Sequence, residues 1–179
     1  MRLTNTENRF GIISVLFHWV FALAVITLLG TGIYMVGLSY YSPWYHPMPK
    51  FHQQLGIATI IIFALRAMWH FIHKQPKIKT KKRWEKGAAK AAHHLMLLLS
   101  AGILISGYIM VSVEVEFIEW FQFQLPTLTF DIENQADLAG FWHKYLAYGL
   151  IGIISVHVLA ALKHQFIDKD RILQKIFGL

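Results

Sequence analysis

An apolar stretch near the end of the chain, residues 140–164, contains three histidines and constrains the fold more than any other segment. About 20 apolar residues are enough to cross a bilayer as one helix. His143 and His157 are 14 residues apart, which on an α-helix is roughly 21 Å of rise and nearly a whole number of turns. Both imidazoles are therefore predicted on one face, near opposite membrane boundaries. Because ionisable groups inside a span usually mark a functional site, this spacing indicates two cofactors stacked across the membrane.

The rest of the chain is similarly apolar. Of its 179 residues 55% are hydrophobic, and the mean hydropathy of +0.43 is high for a soluble domain of this size. Apolar runs predict transmembrane helices at roughly residues 12–38, 53–72, 93–113 and 141–162. The first run is too long for a signal peptide, so it is kept as a span. The sequence predicts an all-α integral membrane protein, a four-transmembrane-helix bundle, with residues 1–179 as a single membrane domain.

Charge is distributed unevenly between the two sides of the predicted bundle. The basic side contains Lys74, Lys77, Lys79, Lys81, Lys82, Arg83, Lys86, Lys90, Lys163, Lys169, Arg171 and Lys175. The other side has Lys50 and Lys144 against Glu114, Glu116, Glu119, Asp131, Glu133 and Asp137. The positive-inside rule then predicts that both termini and the basic loop are cytoplasmic. The net charge of +7 is therefore read as contact with anionic lipid and not as nucleic-acid binding.

The histidines of the spans are predicted at two depths in the membrane, an outer level and an inner level. His52 and His143 are expected near the outer boundary, and His18, His157 and His93 at the inner level. Facing imidazoles at one depth are the ligands that a bis-histidine haem needs, so the natural pairs are His52 with His143 and His18 with His157. His93 is an alternative to His18, but it lies closer to the basic loop. Iron held by two histidines has no open position and transfers electrons, and the absence of cysteine excludes thioether-attached haem. The predicted bundle thus encloses two haems.

Other residues in and between the spans have more than one interpretation. Arg66 is expected to pair with an anion such as a haem propionate, or to extend to the cytoplasmic headgroups. Gly32 and Gly107 permit either close helix packing or room for a flat macrocycle. The outer segment 114–139 is expected to cover the mouth of the bundle, with a short amphipathic helix around Phe117–Phe123. Residues 168–179 are expected to form a basic amphipathic tail.

Three sequence stretches carry a family resemblance that covers nearly the whole chain. They are FHW at 17–19, HQQLG at 52–56 followed by Arg66, and WHKYLAYGLIGIISVH at 142–157 followed by AALKH. The chain resembles the bacterial cytochromes b561, small four-helix dihaem proteins of the inner membrane. It is also similar to the cytochrome b subunits of formate dehydrogenases and nickel–iron hydrogenases. The resemblance implies two haem b groups ligated by His18, His52, His143 and His157.

The same resemblance implies an activity and its alternatives. Oxidation of superoxide on the periplasmic side would be coupled to reduction of ubiquinone. His93 and His164 match family histidines not assumed to be ligands, and they are candidates for quinone contact or proton transfer, or interfacial residues without a role. The acidic outer side would repel superoxide unless Lys50 and Lys144 form a positive entrance.

Two alternative functions stay open at this stage. One is a relay or anchor subunit that passes electrons between a partner dehydrogenase or a periplasmic cytochrome and the quinone pool. The other is a non-redox membrane protein whose histidines bind a metal or line an ion path.

Overall fold

A computed structural model describes residues 2–7, 9–73, 76, 83–113 and 115–169 of the chain. The elements follow in the order α1 (Ile12–Val36), α2 (Pro47–Ile72), α3 (Arg83–Ser112), β1 (Phe117–Trp120), β2 (Phe123–Pro126) and α4 (Gln135–Phe166). All four helices are long and apolar enough to cross a membrane. The prediction of a four-helix, multi-pass membrane protein is thereby confirmed.

Three of the helices extend beyond the apolar runs that predicted them. α2 begins at Pro47, in the aromatic loop, because proline is well suited to the first turn of a helix. α3 begins at Arg83, because the Lys, Glu and Ala residues before its apolar run are good helix formers. α4 begins at Gln135 and ends at Phe166. Apolarity marks the hydrocarbon layer, whereas the helices continue into the layers on either side.

The helices pack as two antiparallel pairs. α1 packs chiefly against α2 and α3 against α4, whereas contact between the pairs is sparser and runs mainly between α2 and α3. Glycines permit the close approach of α3 and α4: a Cβ on Gly102 would lie 3.0 Å from Leu146 Cδ1, and one on Gly149 would lie 3.7 Å from Leu99 Cδ1. The side chains that join the two pairs therefore determine what lies between them.

A hydrophobic cluster joins the pairs at mid-depth. Its buried members are Phe21 and Val25 of α1 and Leu150 of α4, and side chains of α2 and α3, including Phe63 and Leu99, pack around them. Leu150 lies midway along α4 between His143 and His157. The cluster therefore separates an outer from an inner level of the bundle.

The outer segment contains a β-hairpin, so the expected short helix around Phe117–Phe123 is wrong. β1 and β2 pair antiparallel, with Phe117 opposite Pro126 and Trp120 opposite Phe123. Aromatic and β-branched residues favour strands, and their alternation puts Ile118 inside with 1% of its surface exposed. The Tyr108 hydroxyl of α3 donates to Pro126 O at 2.5 Å, which ties the hairpin to the bundle.

Part of the basic side lies outside the described residues. This applies to Lys74, Lys77, Lys79, Lys81 and Lys82 of the loop and to residues 170–179 of the expected amphipathic tail.

Candidate functional site

Two histidines face each other at the outer level. The imidazole of His52, on α2, and that of His143, on α4, have ring centroids 6.2 Å apart, with an angle of 77° between the ring planes. Each side chain comes from a different helix pair, and both are half-buried. The two outer histidines that the sequence singled out are therefore neighbours in space.

The Nδ1 atoms of both rings are occupied by neighbouring groups. His52 Nδ1 lies 3.0 Å from Thr31 Oγ1, whose own proton can go to Thr27 O at 2.8 Å. His143 Nδ1 lies 3.0 Å from Ile103 O. A carbonyl oxygen can only accept, so Nδ1 of His143 carries its proton, and Thr31 favours the same tautomer in His52. Both rings then keep Nε2 unprotonated, the form in which imidazole binds a metal.

Two glycines make room for these rings. A Cβ on Gly107 would lie 2.9 Å from Cε1 of His143, which is closer than real Cβ contacts, and one on Gly32 would lie 3.4 Å from Cε1 of His52. The sequence suggested either helix packing or space for a macrocycle at these positions. What the glycines contact is the imidazole rings themselves.

The inner level holds a group of three histidines. The rings of His157 and His93 have centroids 5.3 Å apart, with 60° between their planes. His18 is close enough to Arg66 and to both of these rings for their charges to interact with it. The expected partner His18 and the alternative His93 are therefore both close to His157.

Arg66 faces the interior of the bundle at this inner level. Its guanidinium carbon lies 4.9 Å from the centroid of the buried Phe21 ring. Among the described residues it forms no ion pair with a carboxylate. A half-buried cation that faces inward among imidazoles leaves room for an anionic ligand group, and its direction does not favour extension to the headgroups.

His164 lies nearer the inner surface, in a charged cluster. Its Nδ1 is 3.2 Å from Asp168 Oδ2. Lys163 Nζ is 3.0 Å from Glu85 Oε1 and 2.5 Å from Asp168 Oδ2. Within the described ranges this is the one group of three His, Asp or Glu residues close enough to hold a metal. Because one ammonium group already bridges both carboxylates, the cluster ties the start of α3 to the end of α4 and has little need of a metal ion.

Sequence reasoning missed the hydroxyl groups beside the outer histidines. Thr31 contacts His52, and Ser106 Oγ lies 3.3 Å from His143 Nδ1. Each hydroxyl residue directly precedes one of the two contacting glycines, Gly32 and Gly107. A hydroxyl–glycine pair in the outer half of both α1 and α3 is the signal that would have found them.

Comparison with known proteins gives full-length matches. A family model described as prokaryotic cytochrome b561 matches residues 9–179. Cytochrome b561 homolog 2 of Escherichia coli (strain K12) is 37% identical over 180 residues, which cover 99% of this chain and 96% of that protein. A protein of Yersinia pestis named probable superoxide oxidase CybB is 26% identical over 178 residues, covering 95% of this chain and 96% of its own length.

Proposed function

The chain belongs to the prokaryotic cytochrome b561 family, whose members bind haem b and transfer electrons in membranes, and we propose that it holds two haems in a single membrane domain and passes electrons from superoxide to ubiquinone. The observation that carries the proposal is the outer pair of imidazoles with both Nδ1 atoms engaged elsewhere. Membership in a family of electron-transfer cytochromes also removes the support for the non-redox alternative.

The outer residues fit a haem iron. Metal–imidazole bonds are about 2 Å long, so two rings that hold a haem iron between them have centroids about 6 Å apart. The separation of 6.2 Å between His52 and His143 agrees with this value. Hydrogen bonds at Nδ1 orient the rings and increase the basicity of Nε2, as expected of metal-binding histidines. We therefore assign His52 and His143 to the outer haem.

For the inner haem we propose His18 and His157 as ligands and Arg66 as the partner of a propionate. The rings of His93 and His157 are too close for a haem iron to fit between them as they stand, since 5.3 Å is shorter than the separation of about 6 Å that two haem-bound imidazoles need. This favours His18. Arg66 supplies a cation without a carboxylate partner among the described residues, near His18 and His157.

When bound, bis-histidine haems supply one-electron transfer without an open position for oxygen. The chain's contribution is to hold and separate them. The cluster of Phe21, Val25 and Leu150 excludes water from the space between the outer and inner levels. A dry apolar layer keeps the two sites in a low-dielectric environment, so that protons do not follow the electrons across.

Superoxide as the donor is supported by the name of the Yersinia pestis relative and by two exposed cations at the outer level. Lys144 is adjacent to His143, and Lys50 lies two residues before His52. They would attract an anion locally. Two superoxide anions each lose one electron and leave as dioxygen, and ubiquinone gains two electrons and two protons to become ubiquinol. His93, which is exposed, and His164 are the candidates to contact the quinone or supply these protons.

The orientation in the membrane is also part of the proposal. We propose a bacterial inner membrane location with both termini in the cytoplasm. The described basic residues Lys86, Lys90 and Lys163 lie at the same end of the bundle, and the acidic residues Glu116 and Glu119 lie at the other. The positive-inside rule assigns the basic end to the cytoplasm.

The second candidate function is a relay or anchor subunit for a partner dehydrogenase or cytochrome. Two observations favour it. The Escherichia coli relative is named only as a cytochrome b561 homologue, and the exposed outer segment carries Glu116, Glu119, Asp131, Glu133 and Asp137, which repel an anionic donor.

The purified protein in liposomes that contain ubiquinone tests the choice between these functions. With enzymatically generated superoxide we expect haem reduction and one ubiquinol per two superoxide anions. Lys144→Gln should slow haem reduction, whereas Lys86→Gln, at the opposite end, should not. Negligible reduction by superoxide, together with co-purification of a larger redox protein, would favour the relay subunit instead.

A further inference from the structure

The β-hairpin is attached beside both outer histidines. Gln54, which binds one side of the hairpin, lies two residues after His52. Tyr108, which binds the other side, directly follows Gly107, whose Cβ position abuts the His143 ring. The hairpin therefore bridges α2 and α3 at the level of the outer pair.

Gln54 uses both ends of its amide at the turn of the hairpin. Its Nε2 donates to Glu119 O at 2.9 Å, and its Oε1 accepts from the backbone N–H of Phe121 at 3.3 Å. Its backbone carbonyl accepts from Trp120 Nε1 at 3.1 Å. Phe121 has a φ of 52°, which is uncommon for a phenylalanine. The Gln54 side chain thus accepts a hydrogen bond from the backbone N–H of Phe121, the residue at which the chain turns.

One face of the hairpin is apolar throughout, and the other is mixed. Successive side chains of a strand point to opposite sides, so Ile118 and Trp120 share one face with Leu125 and Phe123 across the pair. Ile118 is 1% exposed. Glu119 and Gln124 lie on the other face together with Phe117 and Pro126, and all four are exposed. At this position the pair of strands forms a wall, with Ile118 and Trp120 packed toward the bundle and Phe123 exposed beside the turn.

We propose that Gln54 is a positioning residue that holds this wall between the outer haem site and external water, and that it thereby sets the midpoint potential of the outer haem. The inference rests on the proposed ligands His52 and His143. Water at a haem stabilises the more highly charged ferric form, so a displaced wall lowers the potential. Because Gln54 does not approach the inner histidines, the inner potential should be independent of it.

The test compares Gln54→Ala with Gln53→Ala. Gln53 is the adjacent glutamine, is also half-buried, and forms no hydrogen bond among the described residues, so it is a matched control. In a redox titration of the haem-loaded protein, Gln54→Ala should lower the potential of one haem and leave the other unchanged. Hydrogen exchange at the Phe121 amide should become roughly tenfold faster, because a bond to the side chain is lost. Gln53→Ala should change neither value.

The outcomes separate this inference from the proposed function. A Gln54→Ala protein with both haems, unchanged potentials and unchanged exchange would overturn the inference and leave the ligand assignment intact. Loss of the outer haem itself would also overturn it, because Gln54 would then support a ligand and not a wall. If Gln54→Ala fails to fold, Trp120→Phe, which removes only the indole N–H bond to Gln54 O, should give a smaller shift in the same direction.

Discussion

The imidazole rings of His52 and His143 lie 6.2 Å apart, centroid to centroid, between two helices that belong to different helix pairs. Neither ring uses its Nδ1 atom to reach the other. The Nδ1 atom of His52 contacts Thr31 Oγ1, and the Nδ1 atom of His143 contacts Ile103 O. The pair thus has the separation and the free Nε2 atoms of two ligands of one iron.

Replacement of either outer histidine should remove one haem and leave the other. We expect His52→Ala and His143→Ala each to bind one haem per chain, because an imidazole ligand is lost while the inner residues remain in place. A pyridine haemochrome assay gives the count. His46→Ala is the control, since His46 is an exposed residue of the outer loop. Retention of both haems in His52→Ala and in His143→Ala would disprove the pairing.

The inner level gives a test between two candidate ligands. His18→Ala should lose the inner haem, whereas His93→Ala should keep both haems and slow the reduction of ubiquinone. The reason is the separation of 5.3 Å between the His93 and His157 rings, which is short for two imidazoles that hold a haem iron between them. Absorbance spectra and quinone reduction rates of both variants measure this. If His93→Ala loses the haem and His18→Ala keeps it, the inner pair is His93 with His157.

Thr31→Val should loosen the outer haem. The variant removes the hydroxyl that lies 3.0 Å from His52 Nδ1, and loss of such a partner typically weakens metal binding by about 10-fold to 100-fold. A less basic ligand also favours ferrous iron, so the potential of the outer haem should rise. Haem transfer to apomyoglobin and a redox titration measure the two effects.

Thr27→Val is the matched control for this variant. It lies one turn away on α1 and keeps the backbone carbonyl that accepts from Thr31. Equal effects of Thr31→Val and Thr27→Val would mean that the hydroxyl of Thr31 does not support the ligand.

Gly107→Ala should impair the outer haem more than other glycine substitutions in the spans. Its Cβ would lie 2.9 Å from Cε1 and 3.0 Å from Nδ1 of His143, so the ring must move. Gly152→Ala has no atom within 4 Å of its Cβ and is the control. Haem content and the low-spin spectrum of the purified variants measure the difference, and a normal outer haem in Gly107→Ala would show that the ring has room to shift.

The sequence was sufficient to predict the four helices and the proximity of His52 and His143 in space, whereas their role as haem ligands stays a prediction. The predictions drawn from the long apolar runs and from the 14-residue spacing of His143 and His157 need only the dimensions of an α-helix. His93 faces His157, whereas the adjacent His94 points away, with its Nδ1 atom 2.7 Å from Lys90 O.

The hydroxyl partners and the hairpin could not be predicted in the same way. Hydroxyl residues in apolar helices usually bond to a carbonyl of their own helix, as Thr59, Ser112 and Ser155 do here. Thr31 also bonds within its helix, and only tertiary packing adds His52. The hairpin is held by Gln54, a residue of α2 that is distant in the sequence. The short aromatic segment read alone does not reveal this contact, and it therefore suggested a helix.

The haem content of the detergent-purified protein, measured by pyridine haemochrome together with a redox titration of the reduced-minus-oxidised spectrum, tests the central claim most directly. Two paired histidine levels predict two low-spin b-type haems per chain that titrate as two components. A well-folded preparation that holds a single haem, or none, would contradict the account.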